Sequence, residues 1–189
     1  KRLNLHIAYE KVKANKGAGG VDGVTIEEFE QNLERNLEEA HRLLYEDRYV
    51  PEAVRRVYIP KANGDRRPLG IPTVRDRVVQ QAVLNRLEKI FEAKFKDCSY
   101  GFRAGRSALQ AITKVEEYLR AGYGWVVEVD IEKFFDTVNH EKMIDLVNEE
   151  VADGRVLRLI RSFLKAGVME EMGIRRQEKG TPQGGVISP

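Results

Sequence analysis

The stretch "EVDIEKFFDTVNH" (Glu128–His140) decides how this chain is read. A β-branched apolar run, Val126, Val127 and Val129, ends at a carboxylate, Asp130, and two phenylalanines follow at Phe134 and Phe135. The run "GWVVEVD" (124–130) predicts a buried strand, and a carboxylate at the end of such a strand is rigidly aimed. Asp130 therefore reads either as a metal ligand or as a strand-end cap. A single carboxylate plus waters and substrate phosphates is within the habits of magnesium (Mg2+). A two-ion phosphoryl-transfer site, with ions about 3.5–4 Å apart, needs more than one. The only other inward candidate nearby is Asp136, which the pattern places as a cap for the following helix.

Phe134 and Phe135 have two readings. Phenylalanine usually fills a core. Alternatively, one ring lies against a sugar, where it offers no hydrogen bond to a 2′-hydroxyl and so favours deoxyribose. Further along, Asn139 or His140 opens a helix running to about Val151. A second helix is expected over 155–166, then a hairpin over 168–180 around Gly173. "GTPQGG" (180–185) combines a fixed φ at Pro182 with freedom at Gly180, Gly184 and Gly185, and it presents Gln183 as both donor and acceptor. It reads as a loop that orients a base pair or sugar, or as an ordinary lead into a helix.

Upstream of the opening stretch, Ser107 and Gln110 form a capping box for a helix over 108–121, with Gly122 as its C′ residue. The loop "SYGFRAGRS" (99–107) mixes aromatic and arginine side chains. Before it, a long helix is predicted from Thr73 to about Phe95, with Val79, Val83, Leu87 and Ile90 inward. "VRRVYIPKANGDRRPLGIP" (54–72) reads as a β-hairpin turning at Asn63-Gly64, with Lys61 and Arg67 flanking the tip and Pro68 on an edge strand. Thr25 and Glu28 make a capping box for a helix carrying Phe29, Leu33, Leu37, Ala40 and Leu44, ending near Tyr49. The first helix spans 3–14. Between these two lies "NKGAGGVDG" (15–23), which lacks the Gly-Lys-Ser/Thr of a Walker loop. Its glycines allow close backbone approach either to a phosphate or to the rest of the protein. Helices dominate over a few short strands, so the fold class is α+β.

The composition fits one medium domain or two small subdomains: 189 residues, 42% apolar, net charge +2. The charge is sorted along the chain. Residues 27–50 hold eight acids against three bases, 51–80 seven bases against three acids, and 153–179 seven bases against four acids. Locally basic faces suit a phosphate backbone, and they also occur as ordinary solvated helix faces. The single cysteine, Cys98, excludes an internal disulfide and a cysteine zinc cluster. His6, His41 and His140 are scattered and form no recognisable metal spacing. No apolar run approaches a membrane span, and there is no signal-peptide pattern, so a soluble intracellular protein is expected.

Five pieces taken together carry a resemblance: "GAGGVDGVT", "YIPKANGDRRPLGIPTVRDRVVQQAV", "SYGFRAGRSALQAI", "VVEVDIEKFFDTVNH" and "QEKGTPQGGVISP". Their order resembles that in bacterial group II intron reverse transcriptases, also called maturases. The match runs from about Asn15 to Pro189. The resemblance implies a right-hand polymerase, with 1–122 as fingers and 123–189 as the first part of the palm. It implies that Asp130 is a catalytic aspartate and that the Ile131 carbonyl also meets the metal, magnesium. Lys61 and Arg67 match cations that grip the incoming deoxynucleoside triphosphate (dNTP), and Phe135 matches the aromatic gate against ribose. Gln183 matches a glutamine near nucleotide and template. Gly19, Gly20, Val21 and Asp22 fall in the loop that covers the template, and Arg103 and Arg106 in a segment near bound nucleic acid.

The implied partners are an RNA template, the intron RNA and a DNA primer, in a bacterial cytoplasmic ribonucleoprotein. The family's tyrosine–alanine–aspartate–aspartate motif does not occur in these 189 residues. The chain is therefore expected to be a fragment with an incomplete metal site, inactive alone and open to self-association through apolar palm surface. Two other readings remain: a non-catalytic RNA-binding module that assists splicing, and a CRISPR-associated or otherwise domesticated bacterial reverse transcriptase.

Overall fold

The computed structural model describes residues 1–60, 64–170, 173–175, 179–181 and 184–186. The chain opens with α1 (Arg2–Asn15), whose Leu5, Ala8, Tyr9 and Val12 are buried along one face. The Thr25–Glu28 capping box forms with both of its bonds present and starts α2 (Ile26–Gln31). The expected continuous helix then breaks at Asn32, and α3 (Leu33–Tyr45) follows. Phe29 and Leu37 nevertheless reach the same core as α1, so the break redirects the chain without changing the side it buries. The helix stops at Tyr45, before Tyr49, because Asp47 takes a left-handed φ of 58° that α-helix cannot continue through.

β1 (Val54–Pro60) and β2 (Arg66–Ile71) form the expected antiparallel hairpin. Pro60 pairs with Arg66, so the connection is residues 61–65, and Gly64 takes the positive φ, +86°, that only glycine adopts cheaply. β3 (Val168–Glu170) and β4 (Gly173–Arg175) form the second hairpin, and Gly173, expected at its turn, begins a strand. The sheet order is β2-β1-β3-β4, with Pro68 on the edge strand as expected. The strands are not all antiparallel, because β3 pairs parallel to β1 at Val54–Val168 and Arg55–Met169. That pairing joins segments more than a hundred residues apart.

α4 (Val74–Glu92) is the central element. From Val74 to Val83 it is buried almost all round, as a helix surrounded by protein must be. Val78 packs with α1 and α3, Val79 with Tyr49 and Phe163, and Val83 with Ile144, Ile160 and Leu164. The latter three come from α7 (His140–Asn148), capped by Asn139, and α8 (Gly154–Lys165), capped by Asp153. α5 (Ala108–Arg120) starts at the Ser107–Gln110 capping box and ends at Gly122, φ +94°, as expected. It has no buried residue. α6 (Phe134–Thr137) is a single turn containing Asp136, so Asp136 does not cap the following helix; Asn139 does.

The predicted strand over 124–130 does not form. Residues 123–131 adopt no regular structure, and Trp125, Val126, Val127, Val129 and Ile131 all face solvent. β-propensity measures fit to a half-buried pleated surface, and no described residue provides one here. None of the helices in the described residues is long and apolar enough to cross a membrane.

Candidate active site

The N-terminal turns of α4 are where the sequence-predicted pieces converge. Asp76, 1% exposed, sits in the first turn. Its carboxylate accepts from the Tyr49 hydroxyl (2.7 Å), the Glu52 amide (3.1 Å) and the Thr73 hydroxyl (2.8 Å). Thr73 in return caps the helix by accepting from the Asp76 amide. Burial pushes the Asp76 carboxyl above its ordinary range, against the pull of these donors and of Arg75. Arg75 lies over the Tyr49 ring and pairs with Glu52 at 2.9 Å. Sequence reasoning missed Asp76; its signal was the Thr-x-x-Asp spacing at 73–76, three residues after a helix cap.

The glycine loop lies against the same helix. Arg77 donates to the Lys16 and Ala18 carbonyls (3.2 and 2.8 Å), and Arg55 to the Gly19 carbonyl (2.8 Å). Burial lowers the Arg77 pKa, offset partly by Asp22. Of the two readings of these glycines, approach to the protein is what the structure shows. A Cβ on Gly20 would lie 2.6 Å from the Thr73 backbone, and one on Gly19 2.7 Å from the Val24 carbonyl. Gly19 and Gly20 are buried, Val21 is half-buried, and Asp22 is exposed while accepting from the Val24 amide. Asp22 and Val21 thus form the outer lip of the loop.

The loop beginning at Gly180 closes the third side. The Gly180 amide donates to the Val138 carbonyl (2.8 Å) and the Thr181 amide to the Phe135 carbonyl (2.7 Å). His140, 4% exposed, meets the Gly180 carbonyl through Nε2 at 2.6 Å. The Val186 amide donates to Gln80 on α4 (2.8 Å). Gly180 takes φ +81°, and any Cβ there would strike the Phe135 carbonyl at 2.7 Å. A Cβ on Gly184 would lie 2.7 Å from the Gly70 carbonyl of β2. The loop therefore touches α4, α6 and the hairpin at once. Nothing in the spacing of three scattered histidines foretold the His140 contact.

Phe135 is half-buried, with its carbonyl held by Thr181 and its ring edge-on to Phe134 at 5.6 Å. Phe134, expected in the core, is 50% exposed. It lines a largely apolar cavity of about 490 Å³ with Val54, Met143, Leu146, Ile160 and Leu164. Asp130 and Ile131 lie on the exposed segment. Among the described residues no three His, Cys, Asp or Glu side chains gather to hold a metal ion.

Arg67 lies on β2 opposite Ile59, at the exposed end of the hairpin. Lys61 and Gln183 fall outside the described residues. Arg103 is committed within the protein. It bonds Glu92 (2.6 Å) and the Lys96 and Ser99 carbonyls (both 2.8 Å), and lies 5.2 Å from the Phe95 ring centroid. The Arg106 guanidinium bonds Asp97 at 3.3 Å and lies over Tyr100.

The model of the family "Reverse transcriptase (RNA-dependent DNA polymerase)" matches residues 59–189. Protein YkfC of Escherichia coli (strain K12) is 42% identical over 182 residues, covering 93% of this chain and 48% of that protein. The Group II intron-encoded protein LtrA of Lactococcus lactis subsp. cremoris is 38% identical over 185 residues, covering 97% of this chain and 31% of that protein. The chain thus spans less than half the length of these relatives. A chain of the solved Partial Cas6-RT-Cas1--Cas2 complex superposes on the whole of this chain and 31% of its own length, with a TM-score of 0.64 and 24% identity. That likeness shows the fold.

Proposed function

Because the chain belongs to the reverse transcriptase (RNA-dependent DNA polymerase) family, we propose that it is the nucleotide-gripping part of an RNA-directed DNA polymerase of the group II intron type. In this reading 1–122 act as fingers and 123–189 as the first part of the palm. The observation that carries it is the convergence of hairpin, glycine loop and Gly180 loop on the first turns of α4. Such an enzyme needs cations at a movable tip to grip a triphosphate, a lip for the template, and a surface that orients sugar and base.

Lys61 and Arg67 are assigned the triphosphate. Val21 and Asp22, on the lip that Gly19 and Gly20 seat, are assigned the template. Gln183 is assigned the nucleotide and its template base. Phe135 is assigned the ribose gate; the Thr181 bond to its carbonyl and its edge contact with Phe134 fix where the ring stands. Of the two loop arginines, Arg106 has more donors left for RNA. In the reaction, the primer 3′-hydroxyl attacks the α-phosphate of the dNTP and pyrophosphate leaves. Divalent ions, when bound, would supply charge stabilisation for the attacking and leaving oxygens. Asp130, with the Ile131 carbonyl, is assigned to one of them, and the paired aspartates are placed outside these 189 residues. The described residues alone are accordingly expected not to polymerise.

Intron RNA binding and help with splicing belong to the same proposal. The 38% identity to the intron-encoded relative favours it over the CRISPR-associated alternative, whose structural likeness is at 24% identity. RNA-templated primer extension by the full-length protein tests the reading. Asp130→Ala should abolish extension while salt-sensitive RNA binding persists. Extension that survives the substitution would sink the assignment. Phe135→Ala should raise ribonucleotide incorporation; unchanged sugar selectivity would reject the gate.

A further inference from the structure

The β1–β2 hairpin is a cantilever. Only Val54 and Arg55, at its base, pair with β3. Beyond them, among the described residues, the ladder of β1 is with β2 alone, the last side contacts being Arg56 with Glu170 of β3 (3.5 Å) and Gly184 against Gly70, and side chains pass from buried at Val54 to exposed at Tyr58–Pro60. A two-stranded ribbon does not fix its own direction in water. Its angle is set where it is rooted.

Both roots meet on one carboxylate. The incoming root, Tyr49 to Glu52, bonds Asp76 through the Tyr49 hydroxyl and the Glu52 amide; the outgoing root bonds it through the Thr73 hydroxyl. Asp76 is itself fixed in a helix turn buried all round, and Tyr49 is wedged against Phe163 and under Arg75. The three bonds join two pieces of chain, 49–52 and 73–76, through one side chain. An exposed cap would need no such arrangement; a buried acceptor-only group with three donors from two strand roots works as a clamp.

We propose that Asp76 is a positioning residue for nucleotide binding, clamping the two roots of the hairpin so that its tip cations stand at the triphosphate. The inference rests on the reading of the hairpin as the triphosphate grip. The lever explains why the root matters. At roughly 3.3 Å per residue the hairpin reaches about 20 Å, so a tilt of about 10° at the base moves the tip about 3 Å.

Steady-state primer extension by the full-length protein tests it, with dNTP KM and kcat read separately alongside primer–template affinity and thermal midpoint. Asp76→Asn keeps the shape but offers an amide where the roots present donors. It should raise the dNTP KM about tenfold, with kcat within about twofold and primer–template affinity unchanged. Thr73→Val and Tyr49→Phe, each removing one donor, should raise KM by smaller amounts, and Thr73→Ser should restore it. If Asp76→Asn does not fold, the two single-donor variants carry the test. Folded variants with unchanged KM, or with kcat lowered alone, would overturn the inference, since a purely structural role reduces only the active fraction. Failure of the underlying reading looks different: Arg67→Ala, at the hairpin tip itself, would then leave the dNTP KM unchanged whatever Asp76 does.

Discussion

Two regions of this protein carry its assigned chemistry in opposite ways. Around the N-terminal half of α4, Val74, Val78 and Val79 are at most 1% exposed, and buried polar groups such as Asp76 and Gln80 find partners. From Gly101 to Asn139 no residue is buried, although this stretch holds Asp130, Ile131 and Phe135. Its composition is not to blame: Leu109, Ile112, Val115, Trp125, Val126, Val127 and Val129 are all apolar and all exposed. The elements packed on α4 are thus fixed by the described residues themselves, whereas the Asp130 segment is not.

The largest expected effect is on folding. Leu37→Ala removes a fully buried side chain from the α1–α3–α4 core and should cost about 2–5 kcal/mol in urea unfolding. Val127→Ala, on the exposed segment, should stay within about 0.5 kcal/mol. Equal costs would break the comparison. A pair of glycines sharpens it. Gly180→Ala meets both a left-handed φ and the Phe135 carbonyl, and should cost about 1–3 kcal/mol. At Gly122 the φ is also left-handed, but the space is open, so alanine should cost less there, about 1 kcal/mol. The reverse order would show that the Gly180 contact is not tight.

A smaller effect is pH-dependent. Burial first, then the Asp76 carboxylate, raises the Tyr49 pKa well above the ordinary phenol value of 10.0. The folded protein keeps Tyr49 neutral while the unfolded chain ionises it. Its contribution is therefore complete below pH about 10 and is lost as pH climbs above that. Stability measured by denaturant titration should fall more steeply above pH 10 in the wild type than in Tyr49→Phe; parallel curves would contradict the buried, Asp76-bonded phenol.

Much of the packed region was legible in sequence because its signals are local. Alternation around Asn63-Gly64 gave the hairpin, and Thr25–Glu28 and Ser107–Gln110 gave two helix starts that the structure reproduces. The break at Asn32 was hidden, since the apolar stripe runs through it unbroken. The parallel join of β1 to β3 and the His140–Gly180 contact depend on residues far apart in the chain, which periodicity does not reach. At 124–130 the local signal was strong and still misled. Three valines favour a strand only where a neighbouring strand and a covered face exist, and the described residues supply neither. The site followed the same rule. The glycine loop, Phe135 and the hairpin were readable as pieces, while the Asp76 carboxylate that links the hairpin roots became visible only in three dimensions.

Hydrogen exchange measured residue by residue tests the contrast most directly. In this chain, amides of Val78–Val83 should exchange only with global unfolding, while those of Val126–Ile131 should exchange at nearly the rate of an unfolded peptide. In the full-length protein the proposed palm assignment expects the Val126–Ile131 amides to become protected. Protection of Val126–Ile131 in the 189-residue chain equal to that of α4 would contradict the account, as would their continued rapid exchange in the full-length protein.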